Sequence, residues 1–301
     1  MDASARKTIV LTGATGYIGG RLLPRLLADG HEVRCVVRDP GRARLPEGAT
    51  MVRGDVLEGT GLRAALDGAD VAYYLVHSMG DGVAGASFAE RDRRGAEAFG
   101  RAVRAAGVQR TIYLGGLEAG GADGSEHLRS RHEVAEVLRR EAGGLVYVRA
   151  AMVIGEGSAS FQILRGLVEH LPVMITPRWL DTPTQPVAIR DVVGTLAALA
   201  TRADVPDEVQ LGGADVLTYR EMLRRYARIA GRREPTLLSL PFFTPRLSSY
   251  WIALVTPVEL GLVQPLVEGL SAETIVRRPP PPGLNDAPLG FDEAVRAALR
   301  P

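Results

Sequence analysis

His127 and Arg131 stand four residues apart in "GADGSEHLRSRHEVAEVLRR", residues 121–140, which otherwise has the pattern of an ordinary amphipathic helix. Histidine titrates near neutrality and serves as a general acid or base. Arginine stays protonated and only donates hydrogen bonds. The pair therefore offers one group that moves a proton and one that holds a hydroxyl or an anion. The alternative is a solvated charged face, and helical spacing separates the two readings. Positions 127, 131, 134 and 138 form one stripe, so His127 and Arg131 continue the apolar line of Val134 and Leu138. Arg129, His132, Glu133, Glu136 and Arg140 occupy the other side and read as solvated. With Ser125 as N-cap, both candidates fall in the first two turns. His77 and Ser78 close "YYLVHS", where either could donate a hydrogen bond to a substrate oxygen; for His77 a packed strand-end role is the equal alternative. The sequence has no metal-ligand spacing and no nucleophile elbow.

A second chemical signal is "VLTGATGYIGG", with Gly13, Gly16 and Gly19 spaced G-x-x-G-x-x-G around Thr15, Tyr17 and Ile18. Glycine permits the tight turn and lets the backbone approach a pyrophosphate, and the helix N-terminus adds N–H groups and a positive dipole end. The loop sits between a strand and a helix, which makes it a dinucleotide site. Cofactor choice is written at the end of the second strand, where an acid holds a ribose 2′-hydroxyl and an arginine accepts a 2′-phosphate. "VVRDP" places Arg38 first and Asp39 next, favouring NADP with NAD as the alternative. Asp55, in "RGDV", is placed to meet the adenine, with Val56 beside it and Leu75 at the end of the fourth strand as further contacts.

The elements that carry these residues alternate. "KTIVLTG", "HEVRCVVRD", "ATMVRGD", "ADVAYYLVHS", "VQRTIYLGG" and "GLVYVRAAMVIG" read as six strands, with helical patterns through "IGGRLLPRLLADG", "FAERDRRGAEAFGRAVRAAG" and the stretch at 121–140. Such alternation implies parallel pairing through right-handed crossovers, with ligands at the carboxyl ends of the strands. The expected architecture is α/β: a Rossmann doubly wound parallel sheet with a small C-terminal substrate-binding cap. Residues 1–155 form the dinucleotide-binding core. Residues 156–301 hold the cap, interleaved with further sheet and helix elements in one compact unit. "QPVAIRDVVGTLAALAT" and "DEVQLGGADVLTYREMLRRYARIAG" each read as a strand followed by a helix, the second with a capping box from Thr218 to Glu221. Residues 156–180 and 235–275 are left for the cap, and "RRPPPPG" reads as an extended polyproline connector. Phe161, Gln162, Arg178, Trp179, Phe243, Tyr250 and Trp251 are its candidate lining residues and suggest an apolar substrate.

The 301 residues are 46% hydrophobic and 24% charged, with net charge +1, which gives no reason to expect capture of nucleic acid. The lone cysteine, Cys35, excludes an internal disulfide and suits a reducing cytoplasm. Neither the N-terminus nor residues 248–270 supplies the ~18 uninterrupted apolar residues of a spanning helix. The expectation is a cytoplasmic protein, monomer or homodimer, acting on a small molecule.

"TGATGYIGGRLL", "VRDP", "GDV", "YYLVHS", "YLGGL", "VRAAMVIG", "QPVAIRDV" and "GGADVLTYREM" together resemble the short-chain dehydrogenase/reductase superfamily, in its atypical NmrA-like NAD(P)-binding branch. The resemblance runs over nearly the full length. It implies a Y-x-x-x-K pair on the helix within residues 121–140 and a serine after the fifth strand. Here His127 falls at the tyrosine position, Arg131 at the lysine position, and Gly115 and Gly116 stand where the serine is due. The resemblance thus implies an NAD(P)-dependent oxidoreductase with a non-standard pair, or a protein that binds the dinucleotide without turning it over, as a redox sensor or accessory subunit.

Overall fold

The computed structural model describes residues 6–77, 88–117, 126–176, 178–239, 256, 258 and 272–300. The chain opens with β1 (Thr8–Thr12), α1 (Gly19–Ala28), β2 (Glu32–Val37), β3 (Ala49–Arg53), α2 (Leu62–Leu66) and β4 (Val71–Tyr74). It continues with α3 (Phe88–Ala106), β5 (Arg110–Gly116), α4 (Glu126–Glu141), β6 (Leu145–Ala150), β7 (Val153–Ile154), α5 (Ala159–His170) and β8 (Val173–Thr176). β9 (Pro183–Thr184), β10 (Val187–Ala188), α6 (Ile189–Thr201), β11 (Glu208–Leu211), β12 (Leu217–Thr218), α7 (Tyr219–Ile229), β13 (Thr236–Ser239) and α8 (Phe291–Leu299) follow.

Seven strands form one sheet in the order β11-β6-β5-β4-β1-β2-β3. Every pairing in it is parallel. The order reverses between β1 and β4, so a crevice opens there at the carboxyl ends of the strands. Both faces are buried, which explains the continuous apolar runs. Ile9 and Leu11 face a core shared with Leu22 and Leu26 of α1 and Val192 and Leu196 of α6. Val10 faces the opposite core, with Phe99 of α3 and Val134 and Leu138 of α4.

A third core joins Phe161 and Leu164 of α5, Tyr226 of α7, and Phe291 and Val295 of α8. Parallel pairing of β8 with β13 links the two chain segments expected for the cap. The capping box of α7 is formed, with Glu221 N–H donating to Thr218 Oγ1 at 3.2 Å and Thr218 N–H to Glu221 Oε2 at 2.7 Å.

Some elements differ from the expectation. The sixth strand is two. β6 stays in the main sheet, and Ala151 N–H still donates to Leu211 O; beyond it the chain changes partner and β7 pairs with β10. The apolar pattern runs unbroken through Ala151 and Met152, so periodicity gives no sign of the switch. α2 and α8 are additional helices. The polyproline stretch is anchored rather than free. Arg277 and Arg278 N–H both donate to Gln210 Oε1 on β11, and the chain then turns so that Leu284 enters the core. Most of residues 248–270 lies outside the described residues; Thr256 and Val258 are buried. Among the described residues no helix is long and apolar enough to cross a membrane.

Candidate active site

The glycine loop leaves β1 at the reversal point. Gly13 has φ +73°, and a Cβ there would lie 2.4 Å from the Leu75 carbonyl oxygen, so only glycine passes this close to the end of β4. Gly16 N–H closes the turn onto Gly13 O at 2.9 Å, and Gly19 packs on the same carbonyl. Thr15 and Gly16, in the loop before α1, are exposed. Ile18 packs against the core behind the loop.

Tyr17 is held in a clasp that the sequence did not signal. Its ring lies against Gly155 and Gly157, just after β7. Arg21 stands 4.2 Å over the ring and donates to Tyr17 O and, at 2.6 Å, to Glu156 O. Burial pushes the Tyr17 phenol up to about 12, opposed by Arg21 and assisted by Glu156. The dinucleotide loop is thereby fastened to the segment that leads into α5.

At the end of β2, Arg38 and Asp39 are both exposed. Asp39 is occupied with its own turn: Oδ1 accepts from Gly41 N–H at 3.0 Å, and its carboxylate faces Arg42 at 3.8 Å. Asp55 likewise caps a turn, accepting from Leu57 N–H at 2.7 Å. The Val56 side chain is buried in the core shared with Val36 and Tyr74. Cys35, inside β2, is buried, and burial pushes its thiol up to about 12.

The structure brings together two of the proposed catalytic residues from distant parts of the chain. An Nη of Arg131, on α4, lies 2.5 Å from Nε2 of His77, just beyond β4. Both ends of this contact are positioned from below. Thr12 Oγ1 donates to Tyr73 O at 2.9 Å and accepts from Leu75 N–H at 3.2 Å, tying the end of β1 to the segment that carries His77. Tyr113 Oη, from β5, donates to Arg131 O at 3.3 Å, and its ring meets the His77 imidazole edge-on at 6.3 Å. Tyr113 is fully enclosed, and burial raises its pKa far above the ordinary phenol range, partly opposed by Arg131.

Where the superfamily resemblance calls for a serine, the Tyr147 ring crowds Gly115 and the end of the Leu128 side chain crowds Gly116. A Cβ on Gly115 would meet Cε2 of Tyr147 at 2.7 Å and its hydroxyl at 2.8 Å. A Cβ on Gly116 would meet Leu128 Cδ2 at 2.5 Å. Tyr147 is stacked on Tyr113 with ring centroids 5.4 Å apart.

Other candidates are not gathered into this site. His132 is exposed and faces Glu136, as its helical position requires. Phe161 corrects the expectation of a lining residue: it is buried edge-on against Tyr226, 5.8 Å between centroids, inside the cap's own core. Gln162 is half-buried next to it. The main chain of His127 lies in the first turn of α4 and that of Trp179 in a short turn at 178–181, but both side chains, with that of Arg178, lie outside the described residues. Ser78, Ser125, Phe243, Tyr250 and Trp251 lie outside them entirely. Among the described residues no cluster of histidine, cysteine and carboxylates could hold a metal ion.

Residues 13–158, which contain the glycine loop and the His77–Arg131 contact, match the family model for NAD(P)H-binding domains. That match spans 146 of the 301 residues and makes this part of the chain an NAD(P)H-binding domain. The chain is 29% identical over 247 residues to a ceramide reductase of Caulobacter vibrioides, covering 80% of this chain and 76% of that one. A 3-beta-hydroxysteroid dehydrogenase of Mycolicibacterium neoaurum is 31% identical over 113 residues, 35% of this chain and 31% of its own. In three dimensions the fold resembles the NADPH-dependent quinone oxidoreductase of Escherichia coli, with TM-score 0.75 and 18% identity over 97% of this chain and all (100%) of that one. The triphenylmethane reductase of Citrobacter sp., solved with NADP(H), gives TM-score 0.75 and 17% identity over the same shares, 97% and 100%. At these identities the solved structures speak for the fold of the family and not for a shared substrate.

Proposed function

We propose that this protein is an NADPH-dependent reductase of a mostly apolar small molecule. The observation that carries the cofactor assignment is the pair at the end of β2. Arg38 is exposed there while the Asp39 carboxylate caps its own turn. A guanidinium in that place suits a 2′-phosphate, through a charge-assisted and potentially bidentate contact. The pyrophosphate would lie on Thr15–Gly19 at the start of α1, and the adenine near Asp55 and the main chain of Val56. The nicotinamide would then reach the carboxyl ends of β4 and β5, beside Leu75, His77 and Arg131.

The nicotinamide supplies the hydride. Arg131, in the lysine position, holds the nicotinamide ribose with donors left over from His77. His127, in the tyrosine position one turn earlier, is assigned as the acid that protonates the substrate oxygen. A substrate rich in hydrocarbon is favoured by the names of the relatives, a ceramide reductase and a steroid dehydrogenase, and by those of the structural neighbours, which act on a quinone and on triphenylmethane dyes. Gln162, Trp179, Tyr250 and Trp251 are the residues assigned to receive it.

The second reading, an NADP(H) sensor or accessory subunit without turnover, is favoured by one observation: β5 ends in glycines where the serine is due, and the Tyr147 ring crowds Gly115. Calorimetric titration with NADPH and NADH, and NADPH consumption against a panel of quinones, enones and long-chain ketones, separate the readings. NADPH should bind more tightly than NADH, and Arg38→Ala should remove most of that preference. Preferential NADH binding would overturn the cofactor assignment. NADPH binding without consumption of any panel member would favour the sensor.

A further inference from the structure

We infer that Arg131 locks His77 as a neutral imidazole with its proton on Nδ1, and that this ring replaces the missing serine as the hydrogen-bond donor to the substrate oxygen. The inference rests on the reductase reading for its second half and on geometry alone for its first.

The first half follows from donor counting. A guanidinium carries five N–H donors and no acceptor. Its Nη lies 2.5 Å from His77 Nε2, so Nε2 must be the acceptor. A ring that accepts at Nε2 carries its proton at Nδ1, because the bond made by one ring nitrogen sets the other. Protonating Nε2 would set two donors against each other and break the contact. The lock is held at both ends, by Tyr113 under the helix turn of Arg131 and by the Thr12 hydroxyl under the segment that carries His77.

The second half follows from what the site lacks. A side chain at Gly115 would run into the buried Tyr147 ring, and one at Gly116 would have to displace the end of the Leu128 side chain. His77 stands at the end of β4, the strand next to β5 in the sheet, and so on the same rim of the crevice. A neutral imidazole is a sound electrophile: it polarises a carbonyl without carrying a charge into the site. In the step itself the hydride and its electron pair pass from the nicotinamide to the substrate carbon. The carbonyl π pair moves onto oxygen, where the Nδ1–H hydrogen bond receives it. The acid assigned at position 127 delivers the proton that completes the hydroxyl, and the dinucleotide leaves oxidised. His77 finishes with the proton it began with.

An arginine at the lysine position has a purpose here. A lysine ammonium is a compact point charge, whereas the planar fork can hold the ribose with one edge and fix His77 with another.

Nitrogen-15 spectra of histidine-labelled protein read the tautomer directly, with His77→Gln identifying the signal. The full chain should show His77 as the Nδ1–H form, and Arg131→Leu should shift it toward Nε2–H. A wild-type ring protonated at Nε2, or one whose state ignores Arg131→Leu, overturns the lock. For the second half, His77→Gln should lower NADPH turnover by roughly 10²-fold, the usual effect of removing one such donor. Its NADPH affinity should stay within about twofold of wild type, while His132→Gln should leave both unchanged. Full turnover in His77→Gln overturns the donor role even if the tautomer is as stated. A wild-type protein that reduces nothing removes both the reductase reading and the donor role, and the spectra still decide the lock.

Discussion

Gly115 is where a single residue decides which chemistry the site can host. Its missing side chain is the imprint of the Tyr147 ring, 2.7 Å from where a Cβ would stand. Both are in the sheet interior, where neighbours relax little. Gly115→Ser is therefore expected to destabilise the fold by about 1–3 kcal/mol, the usual cost of overpacking. Thermal denaturation measures this directly. The same change should not restore turnover to a His77→Gln variant, because a hydroxyl driven against Tyr147 has no path to the crevice. Recovery of activity in the double variant would show that the superfamily's serine position is usable here. The glycine loop was legible because it has a local signature. The His77–Arg131 contact was not, since it joins residues 54 positions apart and no spacing rule connects them. Both residues were singled out, for separate reasons, and only the fold makes them partners.

At the level of elements, α4 is the piece that must be aimed. Its stripe was read correctly through Val134 and Leu138, both buried, and half-buried Arg131 continues the same face. What periodicity could not supply is its rotation and height on the sheet. Tyr113 contributes to both through the hydroxyl donated to Arg131 O. Tyr113→Phe keeps the ring and its stacking on Tyr147 but removes that bond, which is worth about 1 kcal/mol. Hydrogen exchange should quicken in the first half of α4 and stay unchanged in β5 and β6. Uniform loosening of all three would mean that the hydroxyl supports the sheet and does not aim the helix. The boundary between β6 and β7 was illegible for a related reason. A strand that changes sheets keeps its apolar pattern, and only a new partner, β10, marks the change.

For the molecule as a whole, stability should fall on mild acidification through His31. This histidine is buried between α1 and β2, near Lys7 N–H at 3.3 Å. Burial lowers its pKa, Asp29 opposes the shift and Lys7 adds to it. The folded protein therefore resists a proton that the unfolded chain accepts near pH 6.5. A depressed folded value means the contribution is intact above that pH and is lost as pH falls below it toward the folded pKa. The melting temperature of wild type should decline between roughly pH 6.5 and 5, and His31→Gln should decline less over that interval. Identical slopes would assign the acid sensitivity to other groups. The alternation of strands and helices made the sheet legible at this scale. The cap was legible only in outline, because its core is assembled from three separated helices.

That assembly has a consequence for synthesis on the ribosome. Phe161 and Tyr226 belong to a core that Phe291 and Val295 of α8 complete. The strands from β1 to β6 can pair while the chain is still emerging. The apolar faces of α5 and α7 can close on each other through Phe161 and Tyr226, but the part of α7 that α8 covers must wait until residue 298 has cleared the exit tunnel. A stalled chain ending between α7 and α8 would present that surface to chaperones and proteases, with its dinucleotide crevice already built.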